Sequence, residues 1–300
     1  MLLPVVAPDV ARALDDGRPV VALESTIFSN LGLPGPANRE ALERCLIAIR
    51  AAGAVPAVTA VLDGVARVGL AETEHHRVLG DARKVAERDV AVAVAQRWPF
   101  GATTVSAAVA LAARVGISVF ATGGIGGVHR GAELTGDISA DLDAMASHPV
   151  ITVSAGAKAF LDLARTLEYL ETRGVPVLGW QHADFPAFYT RSSGLPVPHR
   201  VDDADTVAAI FAARSRPAGG VLVAVPIPVA AELDAGRLDR VLTEALDEAA
   251  AGGVVGAAVT PFVLGRIAAA TGGDSIPANL ALAEHNAAVA ALIATAVAAR

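Results

Sequence analysis

The sequence predicts a single α/β domain in which helices cover a buried, largely parallel sheet, and three observations support this. Short β-branched runs alternate with alanine-rich helical segments along the chain. The β-branched runs are almost continuously apolar, as in parallel strands that are buried on both faces. The 300 residues contain no internal repeat, low-complexity tract or Pro/Ser linker, so residues 1–300 are expected to form one domain.

The predicted strands and helices follow one another in β–α order. The strands are expected at residues 19–23, 55–62, 117–122, 150–154, 175–179 and 220–225. The helices, which are rich in Ala, Leu, Glu and Arg, are expected at residues 38–52, 103–115, 157–173, 203–214, 234–251, 260–270 and 276–299. The longest irregular segment, residues 182–202, is predicted to be functional, because long loops in compact domains usually are.

Composition excludes several classes of protein. The formal net charge is −7, which argues against binding a nucleic-acid polymer but allows a local basic pocket for a small phosphorylated ligand. Hydrophobic residues make up 53% of the chain, which excludes intrinsic disorder and favours a homo-oligomer with helix faces buried between subunits. The single cysteine, Cys45, can form no disulfide within the chain, which fits a reducing cytoplasm.

No membrane segment is predicted from the sequence. The longest apolar run, residues 287–299, is shorter than the roughly 18 residues that a membrane-spanning helix needs. Residues 1–10 lack the basic region and the small-residue cleavage site of a signal peptide. We therefore expect a soluble cytoplasmic protein.

Polar residues follow several predicted strands, at the edge of the sheet where parallel α/β proteins bind ligands. The sequence Glu-Ser-Thr, beginning at Glu24, follows the first strand. A glycine-rich stretch that begins at Thr122 follows the third strand, and Ser-Ala-Gly-Ala-Lys, ending at Lys158, follows the fourth. The sequence therefore predicts a functional site at the carboxyl ends of these strands.

The glycine-rich stretch has two interpretations. It contains glycines at 124 and 126 but has His129 where the dinucleotide-binding motif has its third glycine. It is either a tight turn between strand and helix or an anion site formed by free backbone N–H groups with His129 and Arg130. Walker A, HExxH and GxSxG motifs are absent from the sequence, which excludes P-loop NTPases, zincins and α/β-hydrolases.

Lysine usage is the most informative feature of the composition. Among 24 basic residues, the only lysines are Lys84 and Lys158. A GC-rich genome favours arginine codons, so a lysine that persists is expected where arginine cannot replace it. Arginine cannot form a Schiff base, whereas a lysine with a lowered pKa can. The alternative for each residue is an ordinary surface ammonium group.

Three carboxylates are candidates for chemistry. Glu24 follows five apolar residues, so burial is expected to raise its pKa and suit it to acid–base work; the alternative is a hydrogen bond to its neighbours. Asp137 and Asp141 lie four residues apart and would share one face of a helix. Together they would hold one hard divalent ion, or they would only make the start of a helix acidic.

These residues lie in motifs that resemble one protein family, the pseudouridine-5′-phosphate glycosidases, also called indigoidine synthase A-like proteins. The resemblance extends from about Arg18 to the end of the chain. It rests on six segments in order, which read VVALESTI at 20–27, GATTV at 101–105, FATGGIGGVHRGA at 120–132, DISADL at 137–142, AGAK at 155–158 and TGGDS at 271–275.

The resemblance implies a three-layer α/β/α fold, a homotrimer and a divalent metal, typically manganese. It implies reversible cleavage of the C–C glycosidic bond of pseudouridine 5′-phosphate to ribose 5-phosphate and uracil. The family's Schiff-base lysine falls on Lys158, its proton-donating glutamate on Glu24 and its metal-bound aspartate on Asp137. The positions implied to bind substrate are Lys84, Val105, Thr122, His129, Ser139, Ala140, Asp141 and Asn279.

The implied mechanism is chemically sensible. Condensation of the ring-opened sugar with Lys158 gives an iminium electron sink, and Glu24 moves protons to or from the ring and the aglycone. The N–H groups of the glycine loop, with His129, would hold the 5′-phosphate. A non-catalytic protein that keeps the sugar-phosphate pocket is the alternative from another class.

The sequence departs from the family pattern at residues expected near the aglycone. Asn30 replaces a usual histidine, Val225 replaces a usual asparagine, and Trp180 stands where tyrosine is common. Fewer polar groups would suit an aglycone that is larger, flatter and less polar than uracil. Because some family members join ribose 5-phosphate to an aromatic polyketide, C-glycosynthase activity is the alternative enzymatic function.

Overall fold

The structure, a computed structural model, describes residues 3–254 and 259–300, and its central element is one sheet. Eleven strands among the described residues form this sheet. They are β1 (Val5–Val6), β2 (Val20–Leu23), β3 (Val55–Leu62), β4 (Val65–Val68), β5 (Arg83–Val85), β6 (Phe100–Thr103), β7 (Val119–Ala121), β8 (Ile151–Ser154), β9 (Val177–Trp180), β10 (His199–Val201) and β11 (Val221–Ala224).

The order of the strands explains why the sheet is largely parallel. Along the main path the order is β1-β4-β3-β2-β7-β8-β11-β9-β10, and every pairing from β3–β2 to β9–β10 is parallel. Strand β3 is long enough to branch. Its first half pairs with β2, while its second half forms antiparallel ladders with β4 and β6. Strand β5 then pairs in parallel with β6 and ends the branch.

Helices cover the sheet on both faces. The described helices are α1 (Pro8–Asp15), α2 (Ala37–Ala51), α3 (Val90–Ala95), α4 (Val105–Arg114), α5 (Ala132–Thr135), α6 (Ala140–Ser147), α7 (Leu163–Arg173), α8 (Ala204–Ala213), α9 (Ala235–Ala251), α10 (Val259–Ala270) and α11 (Ser275–Ala298). Helix α11 contacts β2 and β7 beside α2 and α8, whereas α4 contacts β2 and β7 beside α6. The two helices thus cover the same strands with separate sets of neighbouring helices, which places them on opposite faces, and the predicted three-layer α/β/α fold is confirmed.

Helix α11 is the apolar C-terminal helix that the sequence predicts. Its 24 residues are long and apolar enough to cross a membrane by length and composition alone, but 56% of its most apolar window is buried. It packs against α2, α8 and the central strands. Two of its asparagines also face inward, and the Nδ2 of Asn286 donates to the carbonyl oxygens of Thr122 and Gly123. These contacts are those of a core helix in the α/β domain.

The six predicted strands and seven predicted helices all exist, with two boundary errors that affect the site. The helix predicted at 103–115 begins at Val105, because residues 100–103 form β6. The helix predicted at 157–173 begins at Leu163, because Asp162 is its N-cap and accepts the N–H of Arg165. Strand β5 was not predicted, although it carries Lys84.

Candidate active site

Neighbouring strands bring the predicted chemical groups together. Strands β2, β7 and β8 are adjacent and parallel, so the residues after their carboxyl ends share one edge of the sheet. Glu24 follows β2, Thr122 follows β7, and the segment that ends at Lys158 follows β8. Lys84 lies on a different part of the sheet. It belongs to β5, which pairs with β6 in the branch, and it lies opposite Ala102.

A cavity of about 680 Å³ lies at this edge of the sheet. It is lined by every residue for which the sequence analysis predicts a catalytic, substrate-binding or metal-binding role, namely Glu24, Lys84, Val105, Thr122, His129, Asp137, Ser139, Ala140, Asp141, Lys158 and Asn279. Its volume is in the range of sites for small ligands. The structure thus places the predicted residues in one site, while their individual roles stay predictions.

Glu24 is a buried carboxyl group at the inner wall of the cavity. Its side chain is only 7% exposed, and its Oε1 accepts a short hydrogen bond from the hydroxyl of Thr122. Burial raises the pKa of Glu24 above its usual value, and this effect exceeds the opposing influence of the charge on Lys158 and of Thr122. A carboxyl group with a raised pKa retains its proton closer to neutral pH, as a general acid requires.

Lys84 and Lys158 face the same cavity. Burial and the positive charge of Lys158 lower the pKa of Lys84, and Asp141 and Glu24 partly oppose this. Lys158 is held by its backbone, since its N–H donates to the carbonyl oxygen of Ile125 at 3.1 Å. A cavity with two interacting amines and a buried acid has the components of imine chemistry.

Several amides of the glycine loop, residues 123–130, are bound within the protein, which limits the anion site that is one of the two interpretations of this stretch. The N–H of Ile125 donates to the carbonyl oxygen of Gly156, and the N–H of His129 donates to that of Asp137. The N–H of Gly126 is bound by the carboxylate of Asp141 at 2.9 Å. These amides already have acceptors within the protein, so they are not available to a phosphate.

The pair of aspartates is also arranged differently from the prediction. Asp141 lies in the first turn of α6, but Asp137 precedes the helix, so the two do not share a helical face. Both carboxylate oxygens of Asp141 accept backbone N–H groups, from Ser106 and Gly126. Asp137 faces the cavity with its Oδ2 3.8 Å from the Nδ1 of His129.

A divalent metal would have few protein ligands in this site. The described residues contain no cluster of three or more His, Cys, Asp or Glu side chains that could bind a metal ion. Among the carboxylates that line the cavity, those of Asp89 and Asp141 accept backbone N–H groups and those of Glu24 and Asp143 are bound by other side chains. The carboxylate of Asp137 lies 3.8 Å from the ring of His129 and is the candidate metal ligand. Mg²⁺ and Mn²⁺ suit such a site, because hard ions bind through one or two carboxylates and complete their shell with water and substrate oxygens.

Apolar residues that the sequence analysis did not identify form another part of the cavity wall, and they are Ile27, Leu31, Phe160, Phe188 and Leu264. Phe188 comes from the loop that was predicted to be functional. Its φ is +64°, a left-handed conformation that is rare for aromatic residues. The ring lies against Gly124, where a Cβ would be 2.5 Å from it. No sequence pattern identifies these wall residues, because they come from separate elements.

The three family departures do not line this cavity. Val225 is fully buried after β11, and Trp180 is 7% exposed at the end of β9. Both strands lie beyond β8 in the sheet order, away from β2 and β7. Asn30 uses its Oδ1 to accept the N–H of Ala82. The expectation that these residues shape the aglycone pocket is therefore wrong. Leu31, which follows Asn30 in the sequence, does line the cavity.

The fold and the cavity define an α/β enzyme with its site at the carboxyl ends of parallel strands. A family model described as indigoidine synthase A like protein matches residues 9–296. The chain belongs to this family, as the motifs predicted.

Sequence relatives agree with this assignment. Two proteins named pseudouridine-5′-phosphate glycosidase, from Methylobacterium nodulans and Myxococcus xanthus, are 51% and 50% identical to the chain. Each alignment covers 97% of this chain, and they cover 87% and 97% of the relatives.

Solved structures agree as well. The prealnumycin C-glycosynthase AlnA in complex with ribulose 5-phosphate has a TM-score of 0.91 at 38% identity. An indigoidine synthase A-like protein from Thermotoga maritima has a TM-score of 0.88 at 34% identity. Both alignments cover 99% of this chain and 97% of the other.

Proposed function

We propose that this enzyme reversibly cleaves the C–C glycosidic bond of pseudouridine 5′-phosphate to give ribose 5-phosphate and uracil. The observation that carries the proposal is that both lysines of the chain and the buried Glu24 share one cavity. The names of relatives at about half identity support the substrate.

In the direction of synthesis, the amine of Lys158 attacks the aldehyde carbon C1 of open-chain ribose 5-phosphate, and water leaves to give an iminium. The C5 carbon of uracil then attacks C1, and the C5 proton passes to a carboxylate, which we assign to Glu24. The sugar hydroxyl O4 then bonds to C1 as the C1–N bond to Lys158 breaks, and the departing amine takes up a proton as O4 loses one. Cleavage follows the same steps in reverse, with protonated Glu24 as the acid that returns the proton to uracil.

Other residues in the cavity are assigned to binding. Lys84 and His129 carry the cationic and hydrogen-bonding groups for the sugar phosphate, and Ser139 and Asn279 add polar contacts. Asp137 would hold a divalent ion, most simply Mn²⁺, which when bound supplies positive charge next to anionic oxygens. We also propose a homotrimer acting in the cytoplasm. The family resemblance implies three subunits, the 53% hydrophobic composition supports an oligomer, and the single cysteine fits a reducing compartment.

The test of the lysine assignment is Lys158→Arg. Arginine keeps the positive charge but forms no imine, so the variant should lose turnover of pseudouridine 5′-phosphate while its circular dichroism spectrum is unchanged. Borohydride added with ribose 5-phosphate should leave a reduced adduct on the wild type, seen by intact mass, and none on the variant. Near wild-type turnover in Lys158→Arg would refute the assignment, and a wild type that neither turns over nor traps would mean a non-catalytic binder.

A second candidate function is C-glycoside synthesis with an aromatic acceptor. The observation that favours it is the apolar wall with Leu31, Phe188 and Leu264, together with the 0.91 TM-score to a C-glycosynthase. The two functions are separated by incubating the enzyme with ribose 5-phosphate and either uracil or a naphthol-type acceptor. The C-glycoside that accumulates, identified by mass, names the acceptor class.

A further inference from the structure

The carboxylate of Asp141 joins two separate elements of the site. Its Oδ1 accepts the N–H of Ser106 at 3.0 Å, and its Oδ2 accepts the N–H of Gly126 at 2.9 Å. Ser106 is the second residue of α4, so its N–H has no acceptor within that helix. Gly126 belongs to the glycine loop. A buried carboxylate, 7% exposed, therefore occupies amides that resemble an anion-binding site.

Close approach at Gly126 shows that the packing around this carboxylate is tight. A Cβ on Gly126 would lie 2.2 Å from the Oγ of Ser139 and 2.9 Å from the Oδ2 of Asp141. Ser139 is the N-cap of α6, and its Oγ accepts the N–H of Asp141 at 3.3 Å. A side chain at 126 would therefore collide first with Ser139 and then with Asp141, which is why the loop backbone can approach them only with glycine there.

Asp141 also faces the ionisable groups of the site. Its negative charge raises the pKa of Glu24 and the pKa of Lys84. The charge of Lys158 also acts on the pKa of both groups, lowering each. The charges of Glu24 and Asp137 act on the pKa of Lys84 and raise it. The charge of Asp141 is therefore directed at the acid and at one of the amines, as well as at the two amides.

We propose that Asp141 is a positioning residue: its carboxylate is an internal anion that fixes the glycine loop against the start of α4 and does not itself bind the substrate phosphate. The substrate contact that the family motif implies for residues 139–141 stays a prediction, and only the carboxylate of Asp141 is given another role. The activity readouts below rest on the proposed function.

The first test compares Asp141→Asn with Asp203→Asn. Asp203 is a matched control, because its carboxylate also accepts a backbone N–H, that of Thr206 at 2.7 Å, but caps the remote helix α8. We expect Asp141→Asn to lower kcat for pseudouridine 5′-phosphate about 10–100-fold, as loss of a supporting contact does, with KM changed less than about threefold. The limb of the cleavage profile that falls as pH rises, where Glu24 loses the proton that cleavage needs, should also move to lower pH, since one of the influences that raise the pKa of Glu24 is gone.

A ligand role would give a different pattern. If the carboxylate of Asp141 bound the substrate, Asp141→Asn would change KM more than kcat, and that result would overturn the proposal. Asp203→Asn should match the wild type in kcat, KM and pH profile. If Asp141→Asn does not fold, Gly126→Ala decides, because it displaces the loop while keeping the charge of Asp141. It should lower kcat without moving the high-pH limb of the profile, and unchanged kcat would overturn the proposal.

A readout without activity separates this proposal from the proposed function. Amide hydrogen exchange at Ser106 and Gly126 should accelerate in Asp141→Asn, or in Gly126→Ala, relative to the wild type and to Asp203→Asn. If the wild type shows no turnover but these amides lose protection, the function fails and the positioning role stands. If protection is unchanged, the positioning role is refuted whatever the activity.

Discussion

At the scale of single residues, the site is a set of charges whose properties depend on one another. Burial makes ionisation of Glu24 and protonation of Lys84 unfavourable, because a low-dielectric surrounding disfavours the charged form. Each group is then partly compensated by the other charges of the cavity. Burial thus favours the protonated form of Glu24, as proton donation in C–C cleavage needs, and the neutral form of Lys84, while Lys158 supplies the amine that we assign to imine formation.

Because Glu24 is buried, its ionisation is expected to lower the free energy of unfolding, and the size of this effect depends on pH. Because its pKa in the folded chain is above the unfolded value, the wild type should lose stability as pH rises from the unfolded pKa through the folded one. Glu24→Gln cannot ionise, so it should unfold at a higher temperature than the wild type, with a larger difference at pH 8.5 than at pH 5, while losing turnover. Scanning calorimetry at both values measures this.

The control for Glu24→Gln is Glu43→Gln, on the exposed side of α2. Its difference from the wild type should be small and nearly the same at the two pH values. Equal stabilisation of Glu24→Gln at pH 5 and pH 8.5 would contradict the buried-carboxylate explanation.

At the scale of elements, turns position the catalytic groups. The segment between β8 and α7 carries Lys158, and its turn depends on Gly156, whose φ is +73°. A Cβ on Gly156 would lie 2.2 Å from the carbonyl oxygen of Pro186. The loop with Phe188 therefore rests directly on the backbone that presents Lys158, and the N–H of Phe188 donates to the carbonyl oxygen of Ala155.

This contact predicts different costs for two glycine substitutions. Gly116 also has a positive φ, +83°, but a Cβ there meets no atom within 4 Å. Gly116→Ala should lower the free energy of unfolding by only about 1–2 kcal/mol, the strain of a left-handed conformation at alanine, and it should keep full activity. Gly156→Ala should cost more, because it also collides with Pro186, and should lower kcat by displacing Lys158. Urea unfolding and steady-state kinetics of both variants test this; equal losses would show that the collision is relieved.

At the scale of the whole molecule, ligands that bind the native cavity must stabilise the entire fold. A ligand at 100 times its Kd adds about 2.7 kcal/mol to the free energy of unfolding. We expect ribose 5-phosphate and Mn²⁺ each to raise the Tm of the wild type. In Asp137→Ala the shift with Mn²⁺ should disappear while a shift with ribose 5-phosphate alone persists. A shift with Mn²⁺ that survives in the variant would assign the ion to other residues.

Much of the candidate site was predictable because its signals are local. A lysine in a chain that otherwise uses arginine identifies Lys84 and Lys158 without any structure, and a carboxylate after an apolar strand identifies Glu24. The apolar wall was not predictable. Leu31, Phe188 and Leu264 are ordinary hydrophobic residues in sequence, and only their convergence on one cavity distinguishes them from the core.

The sequence by itself determined the α/β class, the parallel strands and the residues that reach the cavity, because apolar periodicity and strand-end polarity are encoded locally. Tertiary structure alone decided how those residues are used. In sequence, the amide of Gly126 and the carboxylate of Asp141 each resemble part of a ligand site, yet they bind one another. Val225 directly follows a strand, as Glu24 does, and Trp180 is the last residue of one. The order of strands in the sheet nevertheless places both away from the cavity. Hydrogen-bond pairing and strand order depend on contacts between distant segments, which a local pattern does not specify.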